Sequence, residues 1–83
     1  MDTIGKKRRQ IDALDAQIMT LLDERFRLSE AIGKAKNDSN SVIADPSREA
    51  DILDKAAAYE HAASIRTLYI TLFELSKKLQ KKG

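Results

Sequence analysis

Apolar side chains recur at alternating steps of three and four residues early in the chain, at Ile11, Leu14, Ile18, Leu21, Leu28 and Ile32. That spacing is the stripe of an α-helix, whose 3.6-residue turn returns every third or fourth residue to one face. Position 25 lies on the same stripe and holds Arg25 where an aliphatic residue is expected. A guanidinium on a buried seam carries the desolvation penalty of an ion unless an anion meets it. The pattern therefore asks for either a protein carboxylate or an anionic ligand at Arg25.

No proline interrupts Thr3 to Lys36, and Gly5 and Gly33 are the only glycines there, so a single helix of about thirty residues is predicted. Such a helix runs about 45 Å, longer than the roughly 25 to 30 Å width of a compact globule of this size. Much of its stripe is expected to face a partner chain. "NDSNSVIADP", Asn37 to Pro46, is rich in turn formers and reads as the connection. Asp45 then N-caps a second helix with Pro46 at its first position. This helix is expected to turn Ile52, Leu53, Ala56 and Tyr59 toward the core and to fade in "AAAYEHAAS". Ser64 is the expected cap of a third helix, with a stripe of Ile65, Leu68, Tyr69, Leu72, Leu75 and Leu79. With no strand pattern or internal repeat, the fold class is all-α, one long N-terminal helix plus two shorter ones.

Composition narrows the picture. The 83 residues suit one domain, 1–83, with a small aliphatic core, since the aromatics are two Tyr and two Phe without Trp. No cysteine is present, which removes disulfides, thiolate nucleophiles and cysteine zinc sites and fits a cytoplasmic address. No apolar run approaches the ~18 residues that span a bilayer, and "MDTIGKKRRQ" lacks the apolar core of a signal peptide. A soluble, unprocessed chain with no membrane role is expected. The net charge of +2 comes from 15 basic residues interspersed with 13 acidic ones. The basic runs "KKRR" (Lys6 to Arg9) and "KKLQKK" (Lys77 to Lys82) lie at the ends, without stacking aromatics, so nucleic acid is not an expected partner. The C-terminal lysines read as dipole-complementing, solubilising charges. "GKAKNDSN" lacks the spacing of a phosphate-binding loop, and His61 reads as a solvent-facing or loop residue. With no metal-ligand cluster in the sequence, neither a metal nor a cofactor is expected.

Further polar residues stand in apolar places. Lys36 follows Arg25 by eleven residues, about three turns and ~16 Å of rise, on nearly the same side of the helix. Ser76 and Gln80, spaced i, i+4, continue the row from Leu72 along one edge of the third helix, and Arg48 and Glu49 follow the Asp45 cap. These cations, amide, hydroxyl and carboxylate could share one pocket. The plainer alternative pairs Arg25 with Glu24 or Glu49 and leaves Gln80 in solvent.

The chain resembles the all-helical class of chorismate mutase over almost its whole length. "RRQIDALDAQIMTLLDERFRLSEAIGKAK" is similar to that family's first-helix signature, "VIADPSRE" to its loop and second-helix start, and "ELSKKLQ" to its closing Ser-x-x-x-Gln. The resemblance implies an intertwined homodimeric helical bundle that rearranges chorismate to prephenate in aromatic amino-acid biosynthesis, without cofactor. It implies that Arg25 and Arg8 clamp the two substrate carboxylates, and that Lys36 and Gln80 donate to the ether oxygen, Lys36 also touching a carboxylate. It further implies that Glu49 accepts from the ring hydroxyl, helped by the backbone at Asp45, with Arg48 and Ser76 near the carboxylates.

Arg8 precedes Arg25 by seventeen residues, about 25 Å along one helix, too far for both to grip one small ligand from one chain. Arg8 is expected to enter the partner's site, giving two shared sites per dimer. Lys7 departs from the family's usual leucine, and Arg9 adjoins Arg8, so either arginine could be the partner-chain clamp. Two other functions fit the resemblance. Isochorismate pyruvate-lyase shares the fold and a similar cationic pocket, and mutase-like domains also serve as regulatory or binding modules of other shikimate-pathway enzymes.

Overall fold

The computed structural model describes residues 3–39 and 45–82, and side chains for 3–35 and 45–81. Three α-helices follow in order: α1 (Thr3–Ser39), α2 (Pro46–Lys55) and α3 (Ala62–Lys82), with a 3-10 turn, Ala56–Ala58, after α2. Among the described residues there is no strand. The all-α expectation and the long first helix are thus met, and α1 runs three residues beyond the expected Lys36.

A 37-residue helix covers about 55 Å, and the chain measures 59 × 24 × 14 Å. Its radius of gyration of 16.2 Å exceeds the roughly 12 Å of a compact globule of this length. Within one chain α3 can cover only part of so long a rod. Ile11, Leu14, Ile18 and Leu21 are accordingly more than half or half exposed, as are Leu28 and, less so, Ile32. Ala56 and Phe73 form the buried apolar core, with Ser29 and Ser76 as buried polar residues. Among the described residues, no helix is long and apolar enough to cross a membrane.

The start of α2 follows the sequence closely. The Asp45 side chain accepts from the Arg48 backbone N–H at 3.1 Å, the Asp45 carbonyl accepts from the Glu49 N–H at 3.0 Å, and Pro46 takes the first turn. At the other end Arg66 Nε donates to the Leu53 carbonyl at 3.1 Å, tying the close of α2 to α3.

Three expectations are corrected. Tyr59 does not face the core: it is 62% exposed, because α2 gives way to the 3-10 turn and Tyr59 is extended (φ −106°, ψ 149°), which breaks the helical period. Ser64 does not cap α3, which begins at Ala62; the Ile65 N–H already bonds the His61 carbonyl at 3.0 Å, so Ser64 falls within the first turn. Leu68 and Leu75 are exposed, since α1 covers only the flank of α3 that carries Tyr69, Phe73 and Ser76.

α1 and α3 approach each other tightly at Gly33. A Cβ built there would stand 2.2 Å from the Gln80 carbonyl oxygen and 2.5 Å from its Cα, both main-chain atoms that cannot swing aside. Gly33 therefore sets the distance at which α3 delivers Gln80. Gly33→Ala is expected to cost about 1 to 3 kcal/mol through forced separation of the helices, read by urea unfolding at matched protein concentration. Unchanged stability would contradict the contact.

Candidate active site

On α3, Tyr69, Phe73, Ser76 and Gln80 follow at steps of four, three and four, so one face of the helix presents two rings, a hydroxyl and an amide toward α1. Arg25 meets that face. Its Nη1 donates to Ser76 Oγ at 2.7 Å, and its guanidinium carbon lies 5.7 Å from the Tyr69 ring centre and 5.9 Å from that of Phe73. The rings pack edge to face, 5.9 Å apart at 61°, which fixes the surface against which the cation rests. One turn on, Ser29 returns its hydroxyl proton to the Arg25 carbonyl at 3.1 Å.

No carboxylate among the described residues forms an ion pair with Arg25. Of the two possibilities raised by the stripe, the intrachain one is absent among the described residues: Glu24 and Glu49 do not take the guanidinium. The half-buried cation is oriented by a neutral hydroxyl and two ring faces, and among the described residues no other group takes its remaining donors.

These donors open on a cavity of about 290 Å³ between α1, the start of α2, and α3, near the lower end of the range for small-ligand sites. Arg25, Asp45, Arg48, Glu49, Ser76 and Gln80 all line it. Six of the eight expected residues thus share one hollow. Gln80 contributes a further signal: its Oε1 is buried without a hydrogen-bond partner. A buried unpaired amide atom carries a desolvation cost that a bound ligand would offset. Since a carboxamide offers oxygen or NH2 by a half-turn, Gln80 can serve an acceptor as well as a donor.

Two expected residues stand apart. Arg8 is exposed on α1 and does not line the cavity, seventeen residues before Arg25 and about 25 Å along the helix. Lys36 lies in α1, but its side chain is outside the described residues.

Of the residues that line the site, Ser29, Phe73 and Lys77 were missed by sequence reasoning. Lys77, read as part of the solubilising C-terminal run, lines the cavity and pairs with Glu49, Nζ to Oε2 at 3.1 Å. Its position next to Ser76 and three before Gln80 was the available signal, overridden by the lysine-rich surroundings. His61 is exposed in the turn before α3, as expected. No group of His, Cys, Asp or Glu among the described residues could hold a metal ion.

Among the described residues, three helices enclose a hollow lined by Arg25, Arg48 and Lys77 together with Asp45, Glu49, Ser76 and Gln80. The family profile for type II chorismate mutase matches residues 7–81, and the chain belongs to that family. The bifunctional chorismate mutase/prephenate dehydratase of Aquifex aeolicus is 38% identical over 55 residues, 66% of this chain and 15% of that protein. The enzyme of the same description from Escherichia coli K12 is 39% identical over 69 residues, 82% of this chain and 18% of that protein. The chain therefore spans less than a fifth of the length of these curated relatives. Among solved structures, a conserved hypothetical protein from Pyrococcus furiosus matches with a TM-score of 0.84 at 33% identity, covering 98% of this chain and 99% of the other.

The Asp45 cap places both Arg48 and Glu49 on the cavity wall. Asp45→Ala is expected to cost about 1 kcal/mol, with Asp45→Asn close to wild type, read by thermal unfolding. Equal stability of the alanine variant and the wild type would show that the cap does not hold α2 in place.

Proposed function

We propose that the chain is a chorismate mutase, a single catalytic domain over 1–83 that rearranges chorismate to prephenate in aromatic amino-acid biosynthesis. The observation that carries this reading is Arg25, a half-buried guanidinium held by Ser76 and two rings with no carboxylate partner among the described residues, in a chain of the type II family.

In the reaction the ether C–O bond of the enolpyruvyl group breaks while a carbon–carbon bond forms, and no proton need move. Catalysis then consists of holding a dianion in its compact conformer and stabilising the negative charge that grows on the ether oxygen. Arg25 meets one carboxylate with the parallel donors of its planar fork. Gln80, whose buried Oε1 has no hydrogen-bond partner and whose amide can turn to present its NH2, and Lys36 donate to the ether oxygen. Glu49 accepts from the ring hydroxyl beside the Asp45 backbone, and Arg48 and Ser76 assist at the carboxylates.

The second clamp is Arg8, or its neighbour Arg9, from a partner subunit. The exposed stripe Ile11, Leu14, Ile18 and Leu21 supports a homodimer, since burial of such a face against a second copy is the usual fate of an apolar helical stripe. An intertwined pair with two shared sites fits a 37-residue helix of which α3 covers only part. The reading places the enzyme in the cytoplasm, and the bifunctional relatives favour a functional link to a prephenate-consuming enzyme.

Incubation with chorismate and, separately, with isochorismate tests the reading through the products. Prephenate is expected; salicylate and pyruvate from isochorismate would instead identify a lyase, and product binding without turnover a regulatory module. Lys36→Ala is expected to lower kcat/KM by at least about 10²-fold with the fold intact. A loss under about threefold would remove the donor role. Arg8→Ala and Arg25→Ala chains, each inactive, are expected to regain activity when reassembled together, because one site of the mixed dimer then carries neither substitution. No recovery in verified mixed dimers would contradict the shared site.

A further inference from the structure

The described charges around the cavity are Arg25, Arg48 and Lys77 against Asp45 and Glu49. Without Lys77 the two signs would balance, and a dianion would enter a wall with no net attraction. Glu49 is the difficult member of this set. Its carboxylate faces a hollow that, on the reading above, receives two negative charges, so repulsion would turn it out toward water or weaken binding. Lys77 stands directly on it. The ammonium lies 3.1 Å from Glu49 Oε2, reaching from α3 across to the first turn of α2, with both side chains only partly exposed. No other cation among the described residues forms an ion pair with Glu49.

We infer that Lys77 is a positioning residue of this site: by pairing with Glu49 it neutralises that carboxylate and holds it inside the cavity, so that an acceptor for a ligand hydroxyl can sit beside a dianion. The inference rests on the mutase reading and adds to it a residue that acts through Glu49 and touches no reacting atom. The placement in the chain supports the role. Ser76 and Lys77 are adjacent on α3, so the turn that orients Arg25 through the serine also anchors Glu49 through the lysine. One turn of helix thereby sets both a cationic and an anionic wall of the hollow. A surface-only lysine would be equally well replaced by any soluble side chain, whereas this one requires positive charge at a fixed reach.

The test is a double-mutant cycle on the full chain, with Lys77→Met and Lys77→Arg each made alone and with Glu49→Gln. Michaelis parameters for chorismate are measured, and prephenate binding is followed by calorimetry so that slow variants stay readable. Lys77→Met is expected to raise KM about fivefold while changing kcat less than about twofold, in line with a partly exposed ion pair. Lys77→Arg is expected to stay within about twofold of wild type, and Lys77→Met in the Glu49→Gln background to change KM and prephenate affinity by less than about twofold, because a neutral amide needs no counter-ion. Equal losses in both backgrounds would overturn the inference, since Lys77 would then act without Glu49. So would an unchanged KM, or an arginine variant no better than methionine. A wild-type chain that forms no prephenate overturns the mutase reading instead, which separates the two failures.

Discussion

The hydrogen bond from Arg25 to Ser76, backed by the faces of Tyr69 and Phe73, is the interaction on which the site depends. A cation taken partly out of water is usually met by a carboxylate. Here, among the described residues, it is met by neutral groups that fix its direction without neutralising it. Arginine suits this arrangement because its flat, delocalised guanidinium stacks on rings and donates along its edge at the same time.

Other features serve to hold the cavity open at the right width. Gly33 lets α1 and α3 approach until a methyl group would collide with the Gln80 backbone, which brings the Gln80 amide to the wall. The Asp45 cap and Pro46 fix where α2 begins, and hence where Arg48 and Glu49 stand. Lys77 then joins α2 to α3 across the opening. The far half of α1 contributes nothing to this hollow within one chain. Its exposed stripe and Arg8 acquire a role in the proposed dimer, where the surplus length of the helix carries an arginine to the neighbouring subunit.

The sequence made the helices legible where the period was long and the caps specific. The stripe of α1 and the Asp45–Pro46 start were readable, and so was the sharing of one face by Ser76 and Gln80; of the connection expected over Asn37 to Pro46, residues 37–39 continue α1 and 40–44 lie outside the described residues. Legibility failed where one local signal competed with another. Ser64 is a good cap by type, yet two alanines before it extend the helix at little cost, and the helix begins earlier. Tyr59 kept a helical spacing on paper that the 3-10 turn destroys. Leu68 and Leu75 extended a stripe wider than one helix can cover. Lys77 was hidden by composition, because a lysine among lysines reads as solvation and only the position of α2 in space gives it a carboxylate. The unpaired Oε1 of Gln80 could not be foreseen at all, since it follows from the packing around it.

A crystal structure of the chain with a dianionic transition-state analogue of the rearrangement bound would test the central claim most directly. A ligand carboxylate seated on the guanidinium of Arg25, with Ser76 and both rings still behind it and the Gln80 amide on the ether-oxygen position, is the outcome the account requires. A ligand bound elsewhere, or Arg25 swung out to solvent while the cavity fills without it, would contradict it.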